Sequence, residues 1–228
     1  MSIEYAVLFD MDGTLLQTEK LSTPAFQRTF EDLRQRQLWD KPTPSEEQLT
    51  NVLGMTLEHL WETLLPGADQ ETKDIADELM LEHEIRLLHE GVTDLYPDVK
   101  EQLTILANNG IALFVASNGL ERYIDAVTKA FGIQQLFSDL YSAGRFQTKS
   151  KNDLVAKLLQ DHQVKQAVMV GDRHSDVEAG KTNGLFTIGC DFGFAKPGEL
   201  DQADVIITEF SQLIRHIPFP HFQSTSTK

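Results

Sequence analysis

Tyr5-Ala6-Val7-Leu8-Phe9-Asp10-Met11-Asp12-Gly13-Thr14-Leu15 runs from an apolar stretch straight into two carboxylates two positions apart, followed by a glycine. The four residues Ala6 to Phe9 do not alternate with polar ones, so they read as a strand buried on both faces, the habit of parallel sheets covered by helices. Asp beside Gly also marks turns. Taken alone, the stretch reads equally well as a strand running out into a solvated loop, and the rest of the chain has to decide between loop and site.

Four later runs share the same character: Ile111 to Ala116, Ala167 to Val170, Leu185 to Ile188 and Val205 to Ile207. Helical patterns separate most of them. Asp98 to Asn109 places Val99, Leu103 and Leu106 on one face and stops at Gly110. Leu120 to Phe131 stops at Gly132, and Asn152 to Gln160 repeats Leu and Val at helical spacing. This alternation predicts an α/β fold with a Rossmann-like, doubly wound, mainly parallel sheet.

Between the first two strands, Gln17 to Gly91 carries helix signals and no strand signal. Thr23-Pro24 and Thr43-Pro44 both read as an N-cap followed by proline at the first helical position, with Glu46 completing a capping box on Thr43. Thr56 is expected to cap a helix through Leu65, and Glu71 to His89 a long helix closed by Gly91. A connection of this length exceeds a simple crossover, so residues 17–91 are predicted to be a small helical cap domain inserted into a core of residues 1–16 and 92–217. Phe26, Phe30, Leu60 and Leu79 are expected in its core. The Ser- and Thr-rich tail, residues 218–228, is expected to fray.

The 228 residues are 41% hydrophobic and 24% charged, enough for a substantial core. Twenty Lys and Arg against 35 Asp and Glu give a net charge of −15. Such a surface repels polyanions, which argues against nucleic-acid or anionic-membrane partners and requires locally arranged positive charge for any anionic substrate. The first residues show no targeting pattern and no run is long enough to span a bilayer, so a cytoplasmic location is expected. The single cysteine, Cys190, follows an apolar run and reads as a small buried residue. The oligomeric state stays open.

In open parallel sheets, sites form at the carboxyl ends of strands. Those ends deliver Asp10 and Asp12, then Ser117 and Asn118, then Gly171-Asp172 with Asp176 nearby, while Thr148 and Ser150 precede a helix starting near Lys151. Carboxylates without cysteine or paired histidine suit a hard, oxygen-loving ion such as Mg²⁺. A carboxylate can attack phosphorus to give an aspartyl phosphate, and a second one nearby can move protons. Lys151 and Ser117 offer a point charge and a donor for phosphoryl oxygens, helped by backbone N–H groups at Asn118. Ser175 and Glu178 read as a capping box opening a helix to Asn183, and His174 as a surface residue. Asp172 is the stronger metal candidate; Asp176 serves either the metal through water or the helix dipole.

These residues together resemble the haloacid dehalogenase-like superfamily of phosphotransferases, in its phosphoglycolate-phosphatase-like branch. Asp10-Met11-Asp12-Gly13-Thr14 looks like its first motif, Ser117-Asn118 its second, Lys151 its third, and Gly171-Asp172-Arg173-His174-Ser175-Asp176 its fourth. The resemblance covers Tyr5 to about Leu213, with the insert in the position of the family's helical cap. It implies Asp10 as nucleophile and Mg²⁺ ligand, and Asp12 as general acid/base that also binds the metal through its backbone carbonyl. Ser117, Asn118 and Lys151 would hold the phosphoryl group, and Asp172 and Asp176 would complete the metal set. Lys149, two residues away, competes with Lys151; the latter is preferred because it immediately precedes an apolar helix.

The expectation is therefore a Mg²⁺-dependent phosphatase acting on a small phosphorylated metabolite, with the insert closing as a lid. A phosphomutase on a sugar phosphate would use the same motifs, and a non-catalytic phosphate-binding protein is a further alternative. The dehalogenase branch fits less well because it lacks the second aspartate. Arg28, His59 and Trp61 are insert residues that either face a substrate or serve packing.

Overall fold

The chain is described by a computed structural model covering residues 2–192 and 195–220. It separates into two compact units, residues 1–16 with 95 onward, and Gln17–Asp94.

The first unit is built on a six-stranded sheet of β1 (Tyr5–Phe9), β2 (Ala112–Ser117), β3 (Asp139–Ser142), β4 (Gln166–Gly171), β5 (Phe186–Cys190) and β6 (Val205–Ile207). Its order is β3-β2-β1-β4-β5-β6 and every pairing is parallel. This is the expected doubly wound α/β arrangement. The apolar runs are buried from end to end in β1, β2 and β4, apart from their first residues, because helices cover the sheet. The helices are α5 (Val99–Asn108), α6 (Glu121–Ala130), α7 (Ala143–Phe146), α8 (Lys151–Asp161), α9 (His174–Thr182) and α10 (Leu213–His216). On one face Ala6, Leu8, Phe114, Ala116 and Met169 pack with Leu154, Val155 and Leu158 of α8.

Three features of this unit differ from expectation. β3 has no apolar run, since Asp139-Leu140-Tyr141-Ser142 is half polar; as an edge strand it needs only one ladder partner, β2. Helix α9 is opened by Asp176, whose carboxylate accepts the Arg173 N–H at 2.9 Å, and not by Ser175 and Glu178. The tail does not fray at once: Phe219 is buried and its ring lies 4.7 Å from that of Tyr5. An aromatic side chain that docks on the first strand outweighs the polar composition of its neighbours. Residues 221–228 lie outside the described residues.

The second unit consists of α1 (Thr18–Gln35), α2 (Glu46–Asn51), α3 (Leu57–Leu64) and α4 (Gln70–His89). Helix α1 starts well before Thr23, and Pro24 sits inside it. Proline removes one intrahelical bond and disfavours helical Thr23, yet the buried stripe Leu21, Ala25, Phe26, Phe30 and Leu33 carries the helix through. Helix α2 is capped by Ser45 and Gln48, two residues after the expected box: Ser45 Oγ accepts the Gln48 N–H at 3.3 Å and Gln48 Oε1 the Ser45 N–H at 2.9 Å. Thr43 instead accepts from Arg34 Nη1 at 2.9 Å. Asp69 caps α4 by accepting the Thr72 N–H at 2.8 Å, and Gly91, at φ 73°, closes its far end.

Candidate active site

The parallel register determines where the functional side chains fall. Phe9 pairs with both Val115 of β2 and Val170 of β4, so β1 and β4 end within one residue of each other and β2 runs two residues beyond β1. Strand order turns around β1, and the crevice beyond such a switch point is where open α/β sheets bind ligands. The Asp10 N–H still donates to Val170 O at 2.9 Å; its side chain is thus the first to leave the sheet.

Asp10, Asp172 and Asp176 are all buried and each offers an oxygen within 4.8 Å of the other two. Lys151, 4% exposed, lies among them, with Nζ 2.9 Å from Asp10 Oδ1 and 2.5 Å from Asp176 Oδ1. A cation in the first turn of α8 opposes the helix dipole, which Ser150 and Asp153 relieve by capping it. Burial alone would make the Lys151 ammonium easier to neutralise, but the two carboxylates outweigh this and keep it firmly charged. Lys149 is exposed, so only one of the two lysines reaches the carboxylates.

Positive charge does not match negative here. Burial, and then the charge of Asp176, push the Asp10 carboxyl from 3.8 up to about 7 against the pull of Lys151. Burial followed by the charges of Asp176 and Asp10 raises Asp172 as well. Arg173 helps only from the side, its Nε 3.6 Å from Asp172 Oδ2 and its Nη1 3.4 Å from Glu199. Oxygen-only donors, buried together and short of compensating charge, fit a small hard divalent cation such as Mg²⁺ and do not fit a thiolate- or imidazole-seeking metal.

Two polar residues in the site were given no role by the sequence. Thr14 is fully buried and its Oγ1 donates to Asp172 Oδ1 at 3.0 Å, orienting that carboxylate. The intervening turn needs Gly13: its φ is 74°, and a Cβ there would run into the Asp172 carboxylate. Tyr123 on α6 is the other; its hydroxyl donates to Asp12 Oδ1 at 2.7 Å. Thr14 was within reach of a sequence reading because it adjoins the aspartate pair, whereas Tyr123 carried no such signal.

The remaining candidates fall as follows. Asp12 is half-buried. Ser117 ends β2, the neighbour of β1, and Asn118 follows it; Ser117 Oγ accepts the Gly119 N–H at 3.1 Å. His174 is exposed and Cys190 buried, both as expected. In the helical unit Trp61 is packed edge-on against Phe26 and donates to Asp77; Arg28 pairs with Glu90 at 3.2 Å, and His59 bonds Thr56 at 2.9 Å. Among the described residues no helix is long and apolar enough to cross a membrane.

Comparison with known proteins agrees with this geometry. The phosphoglycolate phosphatase of Vibrio parahaemolyticus serotype O3:K6 is 26% identical over 219 residues, spanning 91% of this chain and 93% of its own. A predicted phosphoglycolate phosphatase from Haemophilus somnus has the same fold, with a TM-score of 0.81 at 21% identity, covering 94% of this chain and 98% of its own. So does β-phosphoglucomutase of Clostridium difficile, with a TM-score of 0.76 at 17% identity, covering 92% and 93%. The family model for haloacid dehalogenase-like hydrolases matches residues 7–190, and the chain accordingly belongs to the haloacid dehalogenase-like hydrolase family.

Proposed function

We propose that this hydrolase is a Mg²⁺-dependent phosphatase of the cytoplasm that cleaves a small phosphomonoester through an aspartyl-phosphate intermediate. The observation that carries the reading is the buried set of Asp10, Asp172 and Asp176 around Lys151 at the level ends of β1 and β4. The name of the Vibrio relative supports a small phosphorylated hydroxy acid as the substrate class.

In this reading Asp10, Asp172, Asp176 and the Asp12 backbone carbonyl hold the cation. When bound, Mg²⁺ supplies charge neutralisation between the anionic nucleophile and the phosphoryl oxygens. Lys151 and the Ser117 hydroxyl, with the Asn118 N–H, bind and orient the phosphoryl group. An Asp10 oxygen attacks phosphorus as the ester P–O bond breaks, and Asp12 delivers its proton to the departing oxygen. Asp12 then accepts a proton from the water that attacks phosphorus, the Asp10–phosphorus bond breaks, and phosphate leaves.

The test is release of inorganic phosphate from a panel of phosphorylated metabolites with Mg²⁺ or EDTA. Release should depend on Mg²⁺ and vanish in Asp10→Asn while the protein stays folded; undiminished turnover by that variant refutes the mechanism. Isomerised sugar phosphate without net phosphate release would instead identify a mutase.

A further inference from the structure

Tyr123 holds the 2.7 Å contact to Asp12 from a position 111 residues away in sequence. It is the third residue of α6, where Tyr123, Ile124, Val127 and Thr128 form the buried face. Packing alone would be served by phenylalanine, and a buried phenol needs a partner for its hydroxyl. Here that partner is the aspartate to which the phosphatase reading assigns both proton transfers. The ring is itself held: a Cβ at Gly119 would lie 3.4 Å from Tyr123 Cδ1 and 3.4 Å from Ser117 Oγ, so the ring sits close beside the loop that follows β2. At 5% exposure it has little room to swing away.

We propose that Tyr123 is a positioning residue for Asp12. Resting on the phosphatase reading, its hydroxyl engages Oδ1, fixes the plane of the carboxyl group and thereby the direction of Oδ2, the oxygen that carries the transferred proton. In the first step the Oδ2 proton passes to the leaving oxygen as its bond to phosphorus breaks and the Asp10–phosphorus bond forms. In the second, Oδ2 takes a proton from the attacking water as the Asp10–phosphorus bond breaks. Tyr123 keeps its own proton throughout. Because proton transfer is sensitive to sub-ångström placement of the acid, the hydroxyl contributes to rate and not to substrate binding.

A leaving group that departs readily as its anion needs little help from an acid, whereas a basic one needs much. Tyr123→Phe should therefore lower kcat/KM, which reports the leaving-group step alone, by about ten-fold for phenyl phosphate and by no more than about two-fold for 4-nitrophenyl phosphate. The ratio of the two substrates in one preparation is independent of how much of the variant is folded. Equal losses of kcat/KM on both substrates would mark a merely structural role, and no loss, or a gain, would mean that the contact does not aid Asp12; each overturns the inference. The wild type and Asp10→Asn are run alongside. If the wild type releases no phosphate from either ester, the phosphatase reading falls and the inference with it, whereas wild-type turnover with an unchanged substrate ratio in Tyr123→Phe removes the inference alone.

Discussion

Asp10→Asn offers a stability measurement as well as an activity one. The Asp10 carboxyl is raised from 3.8 to about 7 by its burial, then by the Asp176 charge, with Lys151 pulling the other way. Below about pH 4 it is protonated in both the folded and the unfolded chain. Between there and pH 7 the folded protein keeps a proton that the unfolded chain has released, so stability falls as pH rises; above about pH 7 the loss is complete. At about 1.4 kcal/mol per pH unit, moving from pH 5 to pH 8 removes about 3 kcal/mol from the metal-free protein. Asparagine has the same shape and no charge, so Asp10→Asn lacks this contribution, while the net charge of −15 acts on both proteins nearly alike. The assay is urea unfolding in EDTA at pH 5, 6, 7 and 8. The wild type should lose about 3 kcal/mol more than Asp10→Asn across that range, and excess Mg²⁺ at pH 8 should restore the wild type more than the variant. Parallel curves, or a wild type that gains on the variant as pH rises, would refute the account of a charge-deficient carboxylate cluster.

Lys151→Met strands the buried Asp10 and Asp176 carboxylates and should cost about 3 to 5 kcal/mol at pH 8 along with all turnover, whereas exposed Lys149→Ala should stay within about 0.5 kcal/mol of wild type; both are read by urea unfolding and phosphate release. Thr14→Val removes the donor to Asp172 and should weaken Mg²⁺ binding about ten-fold by calorimetric titration, at about 1 kcal/mol in stability. Phe219→Ala, which empties the contact with Tyr5, should cost about 3 kcal/mol in thermal unfolding without changing kcat; a negligible shift would show that the segment does not dock in solution.

The strands were legible because a strand buried on both faces must be apolar throughout, and that constraint is written locally in Ala6 to Phe9, Ile111 to Ala116 and Ala167 to Val170. β3 was not, because Asp139-Leu140-Tyr141-Ser142 carries no apolar run and is held as a strand by its ladder to β2. Caps were ambiguous for a different reason. Thr43 with Glu46 and Ser45 with Gln48 both fit the same pattern, and in the structure Thr43 is engaged by Arg34 while Ser45 and Gln48 cap each other. The same competition gave the opening of α9 to Asp176, which serves the helix through one oxygen and meets Lys151 with the other. Pro24 could mark a helix start only so long as the packing of its neighbours was unknown.

Sequence by itself determined which residues end strands, and so which acids stand at one edge of a parallel sheet, because hydrophobic runs and turn residues act over a few neighbours. Tertiary structure decided which of those ends meet. Thr14 reaches Asp172 across 158 residues and Tyr123 reaches Asp12 across 111, and no local pattern records either pairing. The two lysines near α8 show the same division: they are two residues apart in sequence, but Lys149 precedes the helix and is exposed, whereas Lys151 opens its first turn beside the ends of β1 and β4. Direction of approach is a property of packed elements, and packing brings Lys151 into contact with Asp10 and Asp176.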